Sequence, residues 1–175
     1  LREDWGWIPH HITLWDNEEL VAAIPGYAKT NSHGEFVFDH AWAQAYAHYG
    51  RDYFPKWLGA VPYSPVTGAR LLARGDAHRE ALLAAVVEQV GTGGFSSGHI
   101  NFHAPEEDAA FPLEWIPRID VQYHWRNTAG WRDFDGFLAA LDHKHRKNIR
   151  HERTKVQRAD IHFRIVHGDE ASVED

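Results

Sequence analysis

Apolar and polar residues alternate along the first stretch of the chain and then give way to a denser run. Ile12 and Leu14 alternate with polar neighbours, Asp16 and Asn17 interrupt, and Leu20 to Ile24 is almost continuously apolar. This pattern predicts two strands joined by a tight turn. Phe36 and Phe38 share one face of a short strand expected over 34–39. From Trp42 the spacing changes to that of a helix, with Ala45, Tyr46 and Tyr49 following and Gly50 as a stop. A strand is expected from Lys56 towards Pro62, then a loop broken by Pro65 and Gly68, then a short strand over 70–73. The run from Asp76 to Gly91 predicts a helix, with Asp76 as N-cap and Gly91 after the last turn. A strand over 97–104 leads to Pro105, which opens a short helix with Glu106 and Glu107.

Two further strands follow from alternation alone. Ile119, Val121 and Tyr123 face one way over 115–127, with Gln122 and His124 opposite; Ile161, Phe163 and Ile165 alternate over 160–166. Between them the spacing predicts one long helix over 134–158. Phe134, Leu138, Leu141, Ile149 and Val156 form its apolar stripe, which also passes through His145 and Glu152. The two polar members are read as margin residues that reach water, or as residues lining a cleft. Mixed strands and helices, with both tight hairpins and helical crossovers, predict an α/β or α+β mixed sheet flanked by helices.

Charge changes this picture in one place. The chain carries a net charge of −7, yet the segment from Asp142 to Arg158 holds seven cationic residues against two carboxylates. That segment is therefore at +5 and the rest of the chain at −12. Lys144, Arg146, Lys147, Arg150 and Arg153 mark it as a surface for phosphate groups or as a solvated helix face.

Composition bounds the rest. The 175 residues, 43% hydrophobic and 13% aromatic, suffice for a packed core, and cysteine is absent, so disulfides and thiol metal sites are excluded. No run approaches the roughly 20 apolar residues of a membrane span. "LREDWGW" is not a signal peptide, no methionine occurs, and "GDEASVED" brings no closing element. Both ends are accordingly read as those of an internal fragment, and a cytoplasmic location is expected.

Candidate chemistry gathers at three places. The loop "PYSPVTGARLL" offers Tyr63, Thr67 and Arg70 around a glycine that permits close backbone approach. "FDHAWAQAY" sets Asp39 and Trp42 at a strand–helix junction, and His124 lies on a polar strand side with Gln122, Arg126 and Asn127. Each group is also read as ordinary structure: a crossover loop, a packed aromatic corner, a strand edge. Convergence of the groups would make an aromatic-walled cleft. The 14 histidines show no HExxH spacing, and no metal is expected. "TNSHGEF" and "FSSGHIN" bring Ser and His close in sequence without a recognisable Ser–His–acid arrangement.

"GEFVFDHAWAQAY", "YFPKWLGAVPYSPVTGARLL", "SSGHINF" and "VQYHWRNTAGWRDFDGFLAALDHKHRKNIRHER" occur in an order that resembles the FemAB-like family of peptidoglycan biosynthesis/recognition proteins, which is similar to GNAT acyltransferases. The resemblance covers almost the whole chain. It implies two GNAT-like halves: a first over 1–128 without its opening helix, and the start of a second over 129–175. Lys144, Arg146, Ile149 and Arg150 would stand in the basic stretch that opens that second half.

The expected function is N-acyl or aminoacyl transfer to an amine, with a peptidoglycan precursor as acceptor. The donor would be an acyl-coenzyme A or an aminoacyl-tRNA, used as substrate rather than as a bound cofactor. Two alternatives stand beside it: a recognition module without catalysis, and an RNA or tRNA binder acting through the cationic segment. DNA is not an expected partner.

Overall fold

A computed structural model describes residues 5–167. The reading of the two ends rests partly on residues 1–4 and 168–175, which lie outside the described residues. The chain forms two compact units, Leu1–Arg118 and Ile119–Asp175. The fold is mixed α and β, with two sheets and flanking helices.

Among the described residues, the first unit holds every strand. β1 (Trp7–Pro9), β4 (Gly26–Lys29), β5 (Lys56–Gly59) and β7 (Gly98–Ile100) form one sheet in the order β1-β4-β5-β7. Its pairings are antiparallel except β5 with β7, which run parallel. β2 (Ile12–Asp16), β3 (Glu19–Ile24) and β6 (Leu72–Ala73) form a second, antiparallel sheet in the order β2-β3-β6. The predicted hairpin is β2–β3, with Asn17 in the left-handed region at φ 55° and a register shift at Leu14/Trp15. At Pro25 the chain leaves one sheet and enters the other. Gly26 is required there because any side chain would strike the Trp57 indole, whose Nε1 donates to His10 O at 3.0 Å.

Among the described residues, two α-helices belong to this unit: α1 (His40–His48) and α2 (Asp76–Thr92). α2 is capped at Gly75, one residue earlier than the sequence suggests. Its buried Leu82, Leu83 and Val86 pack on Ile12, Ala22, Ile24, Trp57 and Leu71 to make the main core. Trp7, Tyr27, Leu58 and Ala60 make a second cluster. Pro105–Ala110 is a 3-10 helix.

The second unit is helical, with α3 (Phe134–Ala140) and α4 (His143–Arg158). The predicted single helix over 134–158 is thus two. Asp142 breaks it by turning extended and capping α4, its carboxylate accepting from His145 N at 2.9 Å. Asp133 caps α3 in the same way through Gly136 N at 2.7 Å.

Three predicted strands are absent. Residues 34–39 form turns and bends around Glu35, which is drawn inward, while Phe36 and Phe38 stay exposed. Residues 115–127 and 160–166 pair with no strand, and Ile119, Val121, Tyr123, Ile161, Phe163 and Ile165 are exposed. Alternation supplies one face of a strand, but a strand also needs a hydrogen-bonded neighbour. Conversely, β1 and β4, too short to show a pattern, carry no clear signal in the sequence.

Candidate functional site

β5 places Lys56 on a strand whose four residues are all buried. β4 ends at Lys29, and the turn before α1 brings in Glu35 and Asp39. These four ionisable side chains are at most 2% exposed, a state charged groups adopt only when paired. The Lys56 ammonium donates to Asp39 Oδ2 and, at 2.7 Å, to Glu35 Oε2. Lys29 donates to His33 O at 3.2 Å, lies 3.9 Å over the Trp7 ring and is 4.0 Å from Glu35 Oε1. Glu35 Oε1 has no hydrogen-bond partner among the described residues.

A line of neutral groups extends from this cluster. The buried Tyr53 hydroxyl donates to Asp39 Oδ2 at 2.8 Å and lies 3.4 Å from His99 Nε2. The same imidazole nitrogen is 2.9 Å from Ser97 Oγ. Tyr53 donates to Asp39, so the lone pair of Nε2 is left to accept from Ser97. Ser96 Oγ donates to Tyr53 O, fixing the two segments together. At the other end Arg118, 48% exposed, donates to Asp39 Oδ1 at 3.3 Å and to Phe38 O at 2.9 Å.

The electrostatics follow from burial and from Lys56. Burial pushes the Glu35 carboxyl above its ordinary range, although Lys56 pulls it back. Burial would raise Asp39 too, but the hydrogen bond and charge of Lys56, with the Tyr53 hydroxyl, outweigh it and hold that carboxyl low. Two carboxyls on one ammonium are thereby driven apart, the pattern of acid and base pairs. Burial brings Lys29 down to about 8 against the pull of Glu35. Burial and the Asp39 hydrogen bond raise the Tyr53 phenol. Burial, then the Lys56 charge, push the His99 imidazole down to about 4 despite Asp39, so His99 is neutral at pH 7.

Of the residues singled out from sequence, Asp39 lies inside this cluster. Trp42 is on the exposed side of α1. Tyr63, at φ 54°, stacks edge-on with Trp5 and tilts against Trp7, and Thr67 is exposed. Arg70 is buried and its guanidinium donates to the carbonyls of Val66, Gly68, Ala69 and Asn101. Its donors knit the loop together.

His124, in the second unit, is exposed and contacts Gln122. Lys144, Lys147 and Arg150 are exposed along α4, as are His145 and Glu152. Arg146, expected on the open polar face, instead donates to Leu141 O at 2.6 Å and Ala139 O at 3.4 Å, closing the end of α3. Arg153 lies 4.4 Å over the Phe134 ring.

Sequence reading missed Lys29, Glu35, Tyr53, Lys56 and Arg118, and it set Ser97 and His99 aside because "FSSGHIN" shows no Ser–His–acid arrangement. One signal was present: a lysine inside the apolar run "KWLGAV" is out of place unless a carboxylate meets it. No group of three or more His, Asp or Glu side chains is arranged to hold a metal among the described residues, and no helix there is long and apolar enough to cross a membrane.

The family model of FemAB-like proteins, described as peptidoglycan biosynthesis/recognition, matches residues 1–175. The chain belongs to that family, and a role in peptidoglycan biosynthesis or recognition follows from membership. No curated protein and no solved structure matches it significantly.

Proposed function

We propose that this FemAB-like protein transfers an acyl or aminoacyl group to an amine of a peptidoglycan precursor, with His99 as proton acceptor. The observation that carries the reading is the line Ser97–His99–Tyr53–Asp39, in which a half-buried imidazole is held neutral beside a hydroxyl. Amide formation requires an unprotonated amine and somewhere for its proton to go. The amine nitrogen attacks the carbonyl carbon of an ester or thioester donor. The new C–N bond forms, and the amine proton passes to His99 Nε2, directly or through Ser97 Oγ. As the C–O or C–S bond breaks, the leaving group departs with its electron pair and takes up that proton. The half-exposed Arg118 guanidinium supplies positive charge for the oxyanion. The exposed Lys144, Lys147 and Arg150 are offered to phosphate groups of a donor or acceptor.

A competing reading has its own support. Both oxygens of Asp39 are engaged, by Lys56 and Tyr53 on one side and Arg118 on the other. A network so fully satisfied also suits a binding module in which it only orders the fold. Incubation with thioester or aminoacyl donors and a muropeptide acceptor, read by product mass, separates the two. Transfer is expected, with His99→Gln slowing it by about 10²-fold or more at unchanged fold and with an acidic limb in kcat/KM near 4. Saturable precursor binding without product, in the wild type, overturns the transferase reading in favour of recognition.

A further inference from the structure

The second unit carries a cavity unrelated to the proton line. Trp125 and Trp131 stand nearly parallel, 21° apart in plane with centroids at 6.3 Å. Phe137 meets them edge-on, at 90° to Trp125 and 70° to Trp131, and closes the back. With Phe134 and Arg132 these rings bound a cavity of about 390 Å³, within the range of small-molecule sites.

The slot is held in shape. The Asn127 side chain donates to Trp131 O at 2.8 Å and accepts from Trp131 N at 2.9 Å. Gly130, at φ 68°, permits the turn between them. Asp133 fixes the next helix by capping it. Trp125 nevertheless remains 70% exposed, so one wall is an indole left in water.

We propose that this slot binds a nucleotide, its base stacked on an indole and its phosphate beside Arg132. Flat ring walls accept any π face, and stacking on an aromatic side chain is a large and sequence-tolerant term for a base. The rim decides the charge of the ligand. Arg132 and the Asp133 carboxylate both line the slot, the carboxylate accepting from Gly136 N at 2.7 Å as the cap of α3, and Arg153 already sits on the Phe134 face. The rim thus sets two guanidinium groups against one carboxylate engaged in capping, and phosphate suits guanidinium. A bare saccharide is less well served, because both ends of the Asn127 amide are spent on Trp131. The site stands without the acyl-transfer reading, since binding needs no turnover.

The test is calorimetry on the whole chain with uridine and adenosine diphosphates, the parent nucleosides and inorganic pyrophosphate. Saturable nucleotide binding, tighter than that of nucleoside or pyrophosphate, is expected. Trp125→Ala should weaken it by about five-fold or more, and Trp125→Phe, which keeps a ring, should retain most of it. Arg132→Gln should erase the advantage of nucleotide over nucleoside. No nucleotide binding up to millimolar concentration, or equal affinity for pyrophosphate, would overturn the assignment. So would unchanged affinity in both Trp125→Ala and Arg132→Gln.

Discussion

Lys56 on β5 and Asp39 at the N-cap of α1 meet as a buried ion pair, completed by Glu35 on the same ammonium. Neither local segment can bury its charge alone, so the pair ties the edge of α1 to the middle of the sheet. Lys56→Met keeps the length of the side chain but leaves two carboxyls in the interior. A loss of about 3–5 kcal/mol is expected, because removing one partner strands the other. Lys56→Met combined with Asp39→Asn should lose less than Lys56→Met alone. Urea denaturation of the two variants checks the order, and equal losses would show that Asp39 does not depend on Lys56.

His99 predicts how stability responds to acid. Its imidazole is pushed from an ordinary 6.5 to about 4 by burial and Lys56. Between those values the unfolded chain binds a proton that the folded one does not, so stability falls as pH drops from 6.5 towards 4. Below about 4 both states are protonated and the loss is complete. Glu35 acts oppositely, since its raised carboxyl keeps a proton that the unfolded chain has lost above 4.5. The comparison must therefore be with His99→Gln, whose profile over this window should be flatter. Thermal melts at half-unit pH steps measure it, and superimposable slopes would remove His99 from the account.

Lys29 has a separate window. Its pKa falls from 10.5 to about 8 through burial. From about 8 upwards the folded state sheds a proton that the unfolded chain retains, so stability rises with pH. Tyr53, with its raised phenol, opposes this above 10, which confines the clean range to about 8–10. Lys29→Met should abolish the rise. Denaturation midpoints at pH 8 and pH 9.5 are the measurement; a rise that persists in the variant would exclude Lys29 as its source.

The sequence made the apolar skeleton legible where an element carries its own period. The β2–β3 hairpin, α1 and α2 follow directly from spacing, because one face of each is apolar over enough residues. The residues 115–127 and 160–166 show the limit of that logic. Ile119, Val121 and Tyr123 alternate as well as Ile12 and Leu14 do, yet only the latter pair find a neighbouring strand. Strand formation is a property of two segments, and alternation describes one. The charged cluster is hidden for the same reason: Lys29, Glu35, Asp39, Lys56 and His99 come from four separate segments. The split of the basic helix was legible in principle, since Asp142 three residues before His145 has the form of an N-cap.

Glu107 organises a stretch of backbone that no strand or helix satisfies. Its carboxylate accepts from Leu71 N at 2.7 Å, from Arg70 N at 3.0 Å and from Ala104 N at 3.1 Å, and it is 4% exposed. Arg70 then holds the loop from Val66 to Ala69. Glu107→Ala would leave two buried donors, Arg70 N and Leu71 N, and the half-buried Ala104 N without an acceptor, each buried one costing about 1–3 kcal/mol. The variant should lose several kcal/mol in denaturation. Amide exchange at Leu71 should also accelerate relative to α2. A loss no larger than that of an ordinary surface substitution, within about ±0.5 kcal/mol, would show that water replaces the carboxylate.

Asp142 is the point at which the basic segment becomes a helix of its own. Its carboxylate accepts from His145 N and pairs with the His145 ring at 2.5 Å. Those interactions, led by the backbone hydrogen bond, hold its pKa below the ordinary carboxylate value. Arg146 meanwhile draws α4 against the end of α3 through Leu141 O. Asp142→Ala removes the cap but leaves Arg146, so the first turn of α4 should loosen while the helix persists. Asp142→Asn keeps an acceptor for His145 N and should restore most of the protection. Hydrogen exchange resolved at the amides of Lys144, His145 and Arg146 reads this out. Faster exchange confined to those amides in the alanine variant, reversed by asparagine, is the expected result. Uniform acceleration along α4 would instead make Asp142 essential to the whole helix, and no acceleration would assign the break to Leu141.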